Sequence, residues 1–277
     1  MSNKLLKTWL TGNEQGESLT VIHGWAMHSA VWKPIKSDLE SRYSVTWIDL
    51  PGHGCNRGVV AESLQDIVEL ILPTLEKNTH LLGWSLGGLV AQGIAMTTPE
   101  KIKSMTLVAS TPRFSQTENW RHAMSEEVLN NFALNLKEDS ETTIKRFIGL
   151  QFMGVKSAKE LQRTLTNDII TLLPDEEALS TGLDILSTAD FRYRNKSKED
   201  VFQIPQHWML AERDRLIPQA VIKDLKSIRP DAQITLLQNT GHAPFMTHPQ
   251  EFMKSFTAFF AKNFTSTMTL PIDNHAR

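Results

Sequence analysis

The chain has 277 residues, 40% of them hydrophobic and 22% charged, which suits a soluble α/β protein of one large or two small domains. A formal net charge of −2 gives no global field to attract nucleic acid or a membrane surface. The single cysteine, Cys55, excludes an internal disulfide and a cysteine-rich zinc site.

In chain order, the N-terminal stretch MSNKLLKTWLTGNEQGES lacks the long apolar core and small-residue cleavage site of a secretory signal. No stretch approaches the roughly 18 apolar residues of a membrane span, so the expectation is a cytoplasmic protein with no membrane partner. LTVIHG (19–24), SVTWIDL (44–50), THLLGW (79–84) and SMTLVA (104–109) read as buried strands. The segments near 31–41, 62–76 and 86–97 have spacing closer to helical. This alternation predicts a mostly parallel sheet with helices on both faces. It resumes with PQHWML (205–210), a helix near 219–228, QITLL (233–237) and a helix near 249–262. Between the two portions, residues 112–195 hold helix-like pieces such as SEEVLNNFALNL and ETTIKRFIGLQFMG but no run of buried strands. The expected division is therefore a core of 1–111 and 196–264, a helical lid of 112–195, and a disordered tail of 265–277.

Gly83-Trp84-Ser85-Leu86-Gly87 is a G-x-S-x-G pattern at a strand-to-helix junction. Such an elbow exposes a serine hydroxyl on a strained turn, and small residues two positions either side relieve the crowding. A hydroxyl is a weak nucleophile unless a base removes its proton and a third group orients that base. Two late loops supply candidates in the order serine, acid, histidine: Asp214 in AERDRLIP and His242 in NTGHAPF, each just after a predicted strand. Asp214 alone would pass for a turn aspartate, and His242 competes with eight other histidines; order and position together single them out. All three fall at the carboxyl ends of parallel strands, where open α/β sheets bind ligands.

An oxyanion formed at Ser85 needs backbone donors. The amide of Leu86 is one candidate, and that of Trp25, after the His23-Gly24 turn, is the other. The Trp25 ring reads either as an acyl-pocket wall, with Trp84 beside Ser85, or as core packing. His23 reads as a buried brace for its turn, and Asp49 as a fastener for the loop leaving its strand, since it precedes Ser85. Cys55 sits in a glycine-rich loop without support for a thiol nucleophile. No glycine-rich phosphate loop and no histidine–carboxylate cluster with ligand spacing is present, so neither cofactor nor metal is expected.

Together HGW (23–25), DLPGHG (49–54), GWSLGG (83–88), DRLIP (214–218) and GHAPF (241–245) make almost the whole chain resemble the α/β-hydrolase superfamily. HGWAMHSAVW, LGWSLGGLVA, VASTPRFS, RFIGLQFMG and GHAPFMTHP narrow the likeness to the bacterial carboxylesterases of biotin synthesis. The resemblance implies a helical lid inserted after the sixth strand and a triad of Ser85, Asp214 and His242. It implies Trp25 and Leu86 meeting the substrate at the oxyanion hole, and Phe147, Ile148, Gly149, Leu150 and Gln151 touching the acyl chain. The implied reaction is hydrolysis of the methyl ester of a pimeloyl group on acyl carrier protein, through an acyl-enzyme formed on Ser85. That partner is acidic, and KRFIGLQFMGVKSAKELQR (145–163) offers Lys145, Arg146, Lys156, Lys159 and Arg163 against one acid, Glu160. Lys159 and Arg163, four apart, share a helical face, while an ordinary solvated surface is the alternative. Two departures stand out: Thr142 replaces a family arginine, and Ala211 replaces a glycine before Asp214. A general short-chain carboxylesterase, a carbon–carbon bond hydrolase and a non-catalytic ligand-binding relative remain the competing readings, and a monomer is expected.

Overall fold

The computed structural model describes residues 5–155, 158–192 and 203–264. Lys156, the tail 265–277 and the expected core boundary at 196 lie outside the described residues.

Seven strands form one sheet: β1 (Thr8–Gly12), β2 (Glu17–Ile22), β3 (Tyr43–Ile48), β4 (Thr79–Trp84), β5 (Ile102–Val108), β6 (Gln206–Ala211) and β7 (Gln233–Leu237), in the order β1-β3-β2-β4-β5-β6-β7. β1 pairs antiparallel with β3, and every other neighbour is parallel. All six residues of β4 and of β6 are buried, as expected for parallel strands covered on both faces. β1 was not legible as a strand. Its TWLTG is only half-buried at the sheet edge and lacks a continuous apolar run.

Helices join the strands: α1 (Lys33–Glu40), α2 (Leu64–Ile71), α3 (Leu86–Thr97), α4 (Glu126–Glu138), α5 (Ser140–Gln151), α6 (Lys159–Thr171), α7 (Glu176–Thr188), α8 (Val221–Ile228), the single turn α9 (Pro244–Thr247) and α10 (Pro249–Phe264). The regions read as helical near 31–41 and 62–76 each divide into an α-helix and a 3-10 turn. The segment α4–α7 leaves the sheet after β5, the fifth strand rather than the sixth. The described chain ahead of β2 contributes only one strand, so the count is one lower.

Two helices explain most of the core. α3 is buried from Leu86 to Ala95, without a polar face, because β4, β5, α2 and α7 surround it. α10 places Phe252, Phe256, Phe259 and Phe260 along one stripe at helical spacing. Phe260 meets the rings of Tyr43 at 5.2 Å and His80 at 4.7 Å, covering the amino ends of β3 and β4. The carboxyl ends of the parallel strands are thereby left to the loops and to α4–α7. No described helix is long and apolar enough to cross a membrane.

Candidate active site

Ser85 occupies φ 54°, ψ −118° between β4 and α3, a left-handed conformation that costs a non-glycine residue on the order of 1–3 kcal/mol. Three bonds hold it there. The Ser85 amide donates to the Val108 carbonyl (2.9 Å), and the Ser85 carbonyl accepts from the Gly88 amide and the Ser110 hydroxyl, each at 2.9 Å. The flanking glycines are required by close approach. A Cβ on Gly83 would stand 2.3 Å from the Gly87 carbonyl oxygen, and one on Gly87 2.4 Å from that of Ile22.

Asp214 lies three residues beyond β6, and His242 five beyond β7. Their side chains meet: the His242 Nδ1 donates to Asp214 Oδ2 at 2.7 Å, and both side chains are fully buried. A carboxylate only accepts, so the proton sits on Nδ1 and the Nε2 lone pair faces the Ser85 hydroxyl, 2.9 Å away. The other carboxylate oxygen accepts from the amides of Leu216 (2.8 Å) and Ile217 (3.0 Å), which fixes the carboxyl plane. The histidine loop is braced from behind by the Trp84 indole, which donates to the His242 carbonyl at 2.8 Å.

The β2 exit turn passes directly over the serine: a Cβ on Gly24 would lie 3.2 Å from that of Ser85. The next amide, Trp25, and that of Leu86 at the start of α3 donate to no group among the described residues. The Trp25 ring is buried and tied to the inserted helices. Its indole donates to the Leu179 carbonyl of α7 at 2.8 Å, and its ring makes a T-shaped contact with that of Phe147, centroids 4.8 Å apart. Trp84 takes a different part from the one expected beside Trp25. It packs edge-on against Trp32 and Phe245, within the core.

Of the segment Phe147–Gln151, Phe147, Ile148 and Gln151 are buried. Phe147 touches Trp25, and the Gln151 carbonyl lies against Gly241, next to His242. Gly149 instead faces Gln162 of α6, and Leu150 is half-buried. Lys145 and Arg146 on α5, and Lys159 and Arg163 on α6, are exposed; Lys145 pairs with Glu141 on its own helix.

His23 is fully buried, with its Nδ1 donating to the Gly24 carbonyl and its Nε2 accepting from the Leu50 amide. Burial pushes its pKa down to about 3, so the ring is neutral and acts as a brace. Asp49 receives the amides of Ser29 (2.6 Å) and Cys55 (2.9 Å), away from the serine. Burial works against its charge, and the two backbone amides it accepts from help to hold the carboxyl below its usual range. The Cys55 thiol is raised to about 11, chiefly by burial and then by Asp49, which leaves it protonated at neutral pH. Among the described residues, no group of three or more histidine, cysteine or acidic side chains is placed to hold a metal ion.

One link was not foreseen from sequence. The Arg213 guanidinium joins the Gly154 carbonyl, after α5, to the Asn239 side chain, and its amide donates to Thr240. The acid loop, the histidine loop and the inserted helices are thus tied by one half-buried arginine. Nothing in local spacing marks such a residue.

Comparison with known proteins agrees with this fold. The family described as alpha/beta hydrolase fold matches residues 18–249. The chain is 35% identical over 248 residues to a pimeloyl-[acyl-carrier protein] methyl ester esterase of Photobacterium profundum, covering 88% of this chain and 95% of the relative. It is 34% identical over 255 residues to the enzyme of the same name from Citrobacter koseri, covering 92% and 98%. Among solved structures, a bromoperoxidase from Bacillus anthracis (TM-score 0.80, 17% identity, 91% of this chain and 94% of the other) shares the fold. So does an esterase from Exiguobacterium antarcticum (0.78, 17%, 92% and 95%). With the family pattern running through both halves of the sheet, the chain belongs to the α/β-hydrolase fold family.

Proposed function

We propose that the chain is a serine carboxylesterase that hydrolyses the methyl ester of pimeloyl-[acyl-carrier protein], releasing methanol and the free carboxylate for biotin synthesis. The observation that carries the chemistry is the buried relay from Ser85 through His242 to Asp214, with contacts of 2.9 and 2.7 Å. In this reading His242 Nε2 takes the Ser85 proton as the oxygen attacks the ester carbonyl, and Asp214 holds the imidazole and its positive charge. The amides of Trp25 and Leu86 receive the oxyanion. Collapse of the tetrahedral intermediate breaks the carbon–O(methyl) bond, and His242 returns its proton to the departing methanol. Water then repeats the cycle on the acyl-enzyme.

The substrate assignment is supported by the two relatives of that name, which match this chain over nearly their whole lengths. Helices α4–α7 serve as the lid, and Phe147 to Gln151 meet the acyl chain. Lys145, Arg146, Lys159 and Arg163 dock the acidic carrier protein, an attraction that weakens with salt. The enzyme works as a cytoplasmic monomer without cofactor, metal, nucleic acid or membrane.

The test is complementation of a biotin-requiring strain that lacks its methyl esterase. Wild type is expected to restore growth and Ser85→Ala is not. Purified wild type should also cleave the carrier-bound methyl ester in preference to p-nitrophenyl butyrate. Rapid cleavage of the latter with none of the former would leave a general short-chain esterase instead.

A further inference from the structure

The two candidate oxyanion donors are held in the same way, although they lie on different loops. The Leu86 amide belongs to the Ser85–Leu86 peptide, whose carbonyl accepts from the Gly88 amide and from the Ser110 hydroxyl, each at 2.9 Å. The Trp25 amide belongs to the Gly24–Trp25 peptide, whose carbonyl accepts from the Met27 amide at 3.3 Å and from His23 Nδ1 at 2.8 Å. Each carbonyl thus meets a backbone N–H three residues on and one fully buried side chain. Neither peptide's N–H donates to any group among the described residues.

This pairing has a chemical consequence. Two donors occupy both lone pairs of the carbonyl, which fixes the peptide plane and with it the direction of the N–H. Hydrogen bonds in series polarise one another, so a carbonyl that accepts makes the N–H of its own peptide a stronger donor. Both effects are in place before charge develops, as stabilisation of an oxyanion requires.

The backbone around Ser110 is shaped to deliver its hydroxyl. Ala109, directly after β5, has a φ of 42°, and its amide donates to the Met209 carbonyl at 2.8 Å. A positive φ is uncommon for a residue bearing a Cβ and persists where its surroundings impose it. The next side chain, that of Ser110, thereby reaches the peptide that opens α3. The last glycine of GWSLGG makes room for it: a Cβ on Gly88 would stand 2.3 Å from Ser110 Oγ. The G-x-S-x-G spacing by itself gives no reason for that glycine.

We propose that Ser110 is a positioning residue of the oxyanion hole, its hydroxyl holding and polarising the Ser85–Leu86 peptide so that the Leu86 amide receives the developing oxyanion. The proposal rests on the esterase reading. Removing the hydroxyl leaves the Ser85 carbonyl its bond from Gly88, so Ser110→Ala strands no buried acceptor and should fold.

Three measurements test this on Ser110→Ala. For p-nitrophenyl acetate, kcat should fall about five- to tenfold with KM within about twofold, because the same amide serves acylation and deacylation and both slow together. Affinity for a trifluoromethyl ketone, whose adduct with Ser85 places an oxyanion in the hole, should weaken by the same factor. In the ligand-free ¹⁵N-labelled protein the Leu86 amide nitrogen should move upfield, since its peptide carbonyl loses a donor, while that of Trp25 stays in place. A lower melting temperature with kcat unchanged would overturn the assignment, as that is a structural role alone. So would a loss carried by KM, or a Leu86 nitrogen that does not move. Failure of wild type to hydrolyse any ester would instead defeat the esterase reading, and the nitrogen shifts would still judge whether Ser110 polarises this peptide.

Discussion

The Asp214 carboxyl is held by donors on both oxygens, and this makes one substitution unusually informative. In Asp214→Asn the amides of Leu216 and Ile217, which now reach Oδ1, demand an oxygen. The new NH₂ must then turn toward His242 Nδ1, which has to accept rather than donate. The imidazole proton moves to Nε2 and faces the Ser85 hydroxyl, so no lone pair remains to take the serine proton. Hydrolysis of p-nitrophenyl acetate should drop by roughly three to four orders of magnitude. The melting temperature should change little, because the asparagine keeps both amide contacts. A loss of less than tenfold would show that His242 does not work through Asp214. The identities of these residues were legible from order and spacing. The tautomer was not, because it depends on which oxygen the backbone of a loop has already claimed.

Among the elements, α7 does most to hold the inserted helices on the sheet. Asp175 precedes it at the position where an aspartate would ordinarily cap the helix, yet its side chain makes no capping bond. Its carboxylate accepts from the Gly58 amide at 2.5 Å and from Arg57, while its own amide donates to the Gly52 carbonyl at 2.8 Å. Together with the Trp25–Leu179 bond, these contacts clamp the start of α7 to the loops after β2 and β3. Asp175→Ala should therefore speed amide hydrogen exchange in 176–188 by about tenfold, the loss of roughly 1.5 kcal/mol from hydrogen bonds to a charged group. Exchange in α10, on the far side of the sheet, should stay as it is. Equal acceleration in both helices would mean global destabilisation rather than local release. The helical character of 112–195 was readable from spacing, but the clamp pairs residues 117 positions apart, and no local pattern encodes that.

At the scale of the whole molecule, several histidines are buried as neutral rings. Burial lowers His23 to about 3 and His207 to about 4, and it lowers His53 and His80 as well. The sign follows directly. The unfolded chain takes up protons below its histidine pKa of 6.5, whereas the native protein does not until far lower pH. Stability is thus complete above 6.5 and declines as pH falls. Between pH 7.5 and 5.5, His23 and His207 should together cost about 3 kcal/mol, with His53 and His80 adding in the same direction. Urea unfolding at the two pH values measures this, and equal midpoints would refute it. His207→Gln should reduce the difference.

Strand-helix alternation, the G-x-S-x-G elbow and the order serine, acid, histidine are local or one-dimensional properties. The chain sequence therefore determined the parallel sheet, the helical insertion and the three side chains at its carboxyl edge. Folding alone decided what depends on distant surfaces meeting. It set the antiparallel edge strand β1, whose half-buried residues pair with β3 and carry little signal of their own. It set Trp84 as a brace for the histidine loop, and Arg213 as a tie among three loops. Burial and hydrogen-bond satisfaction are properties of an environment, and that environment exists only once the chain has packed around it.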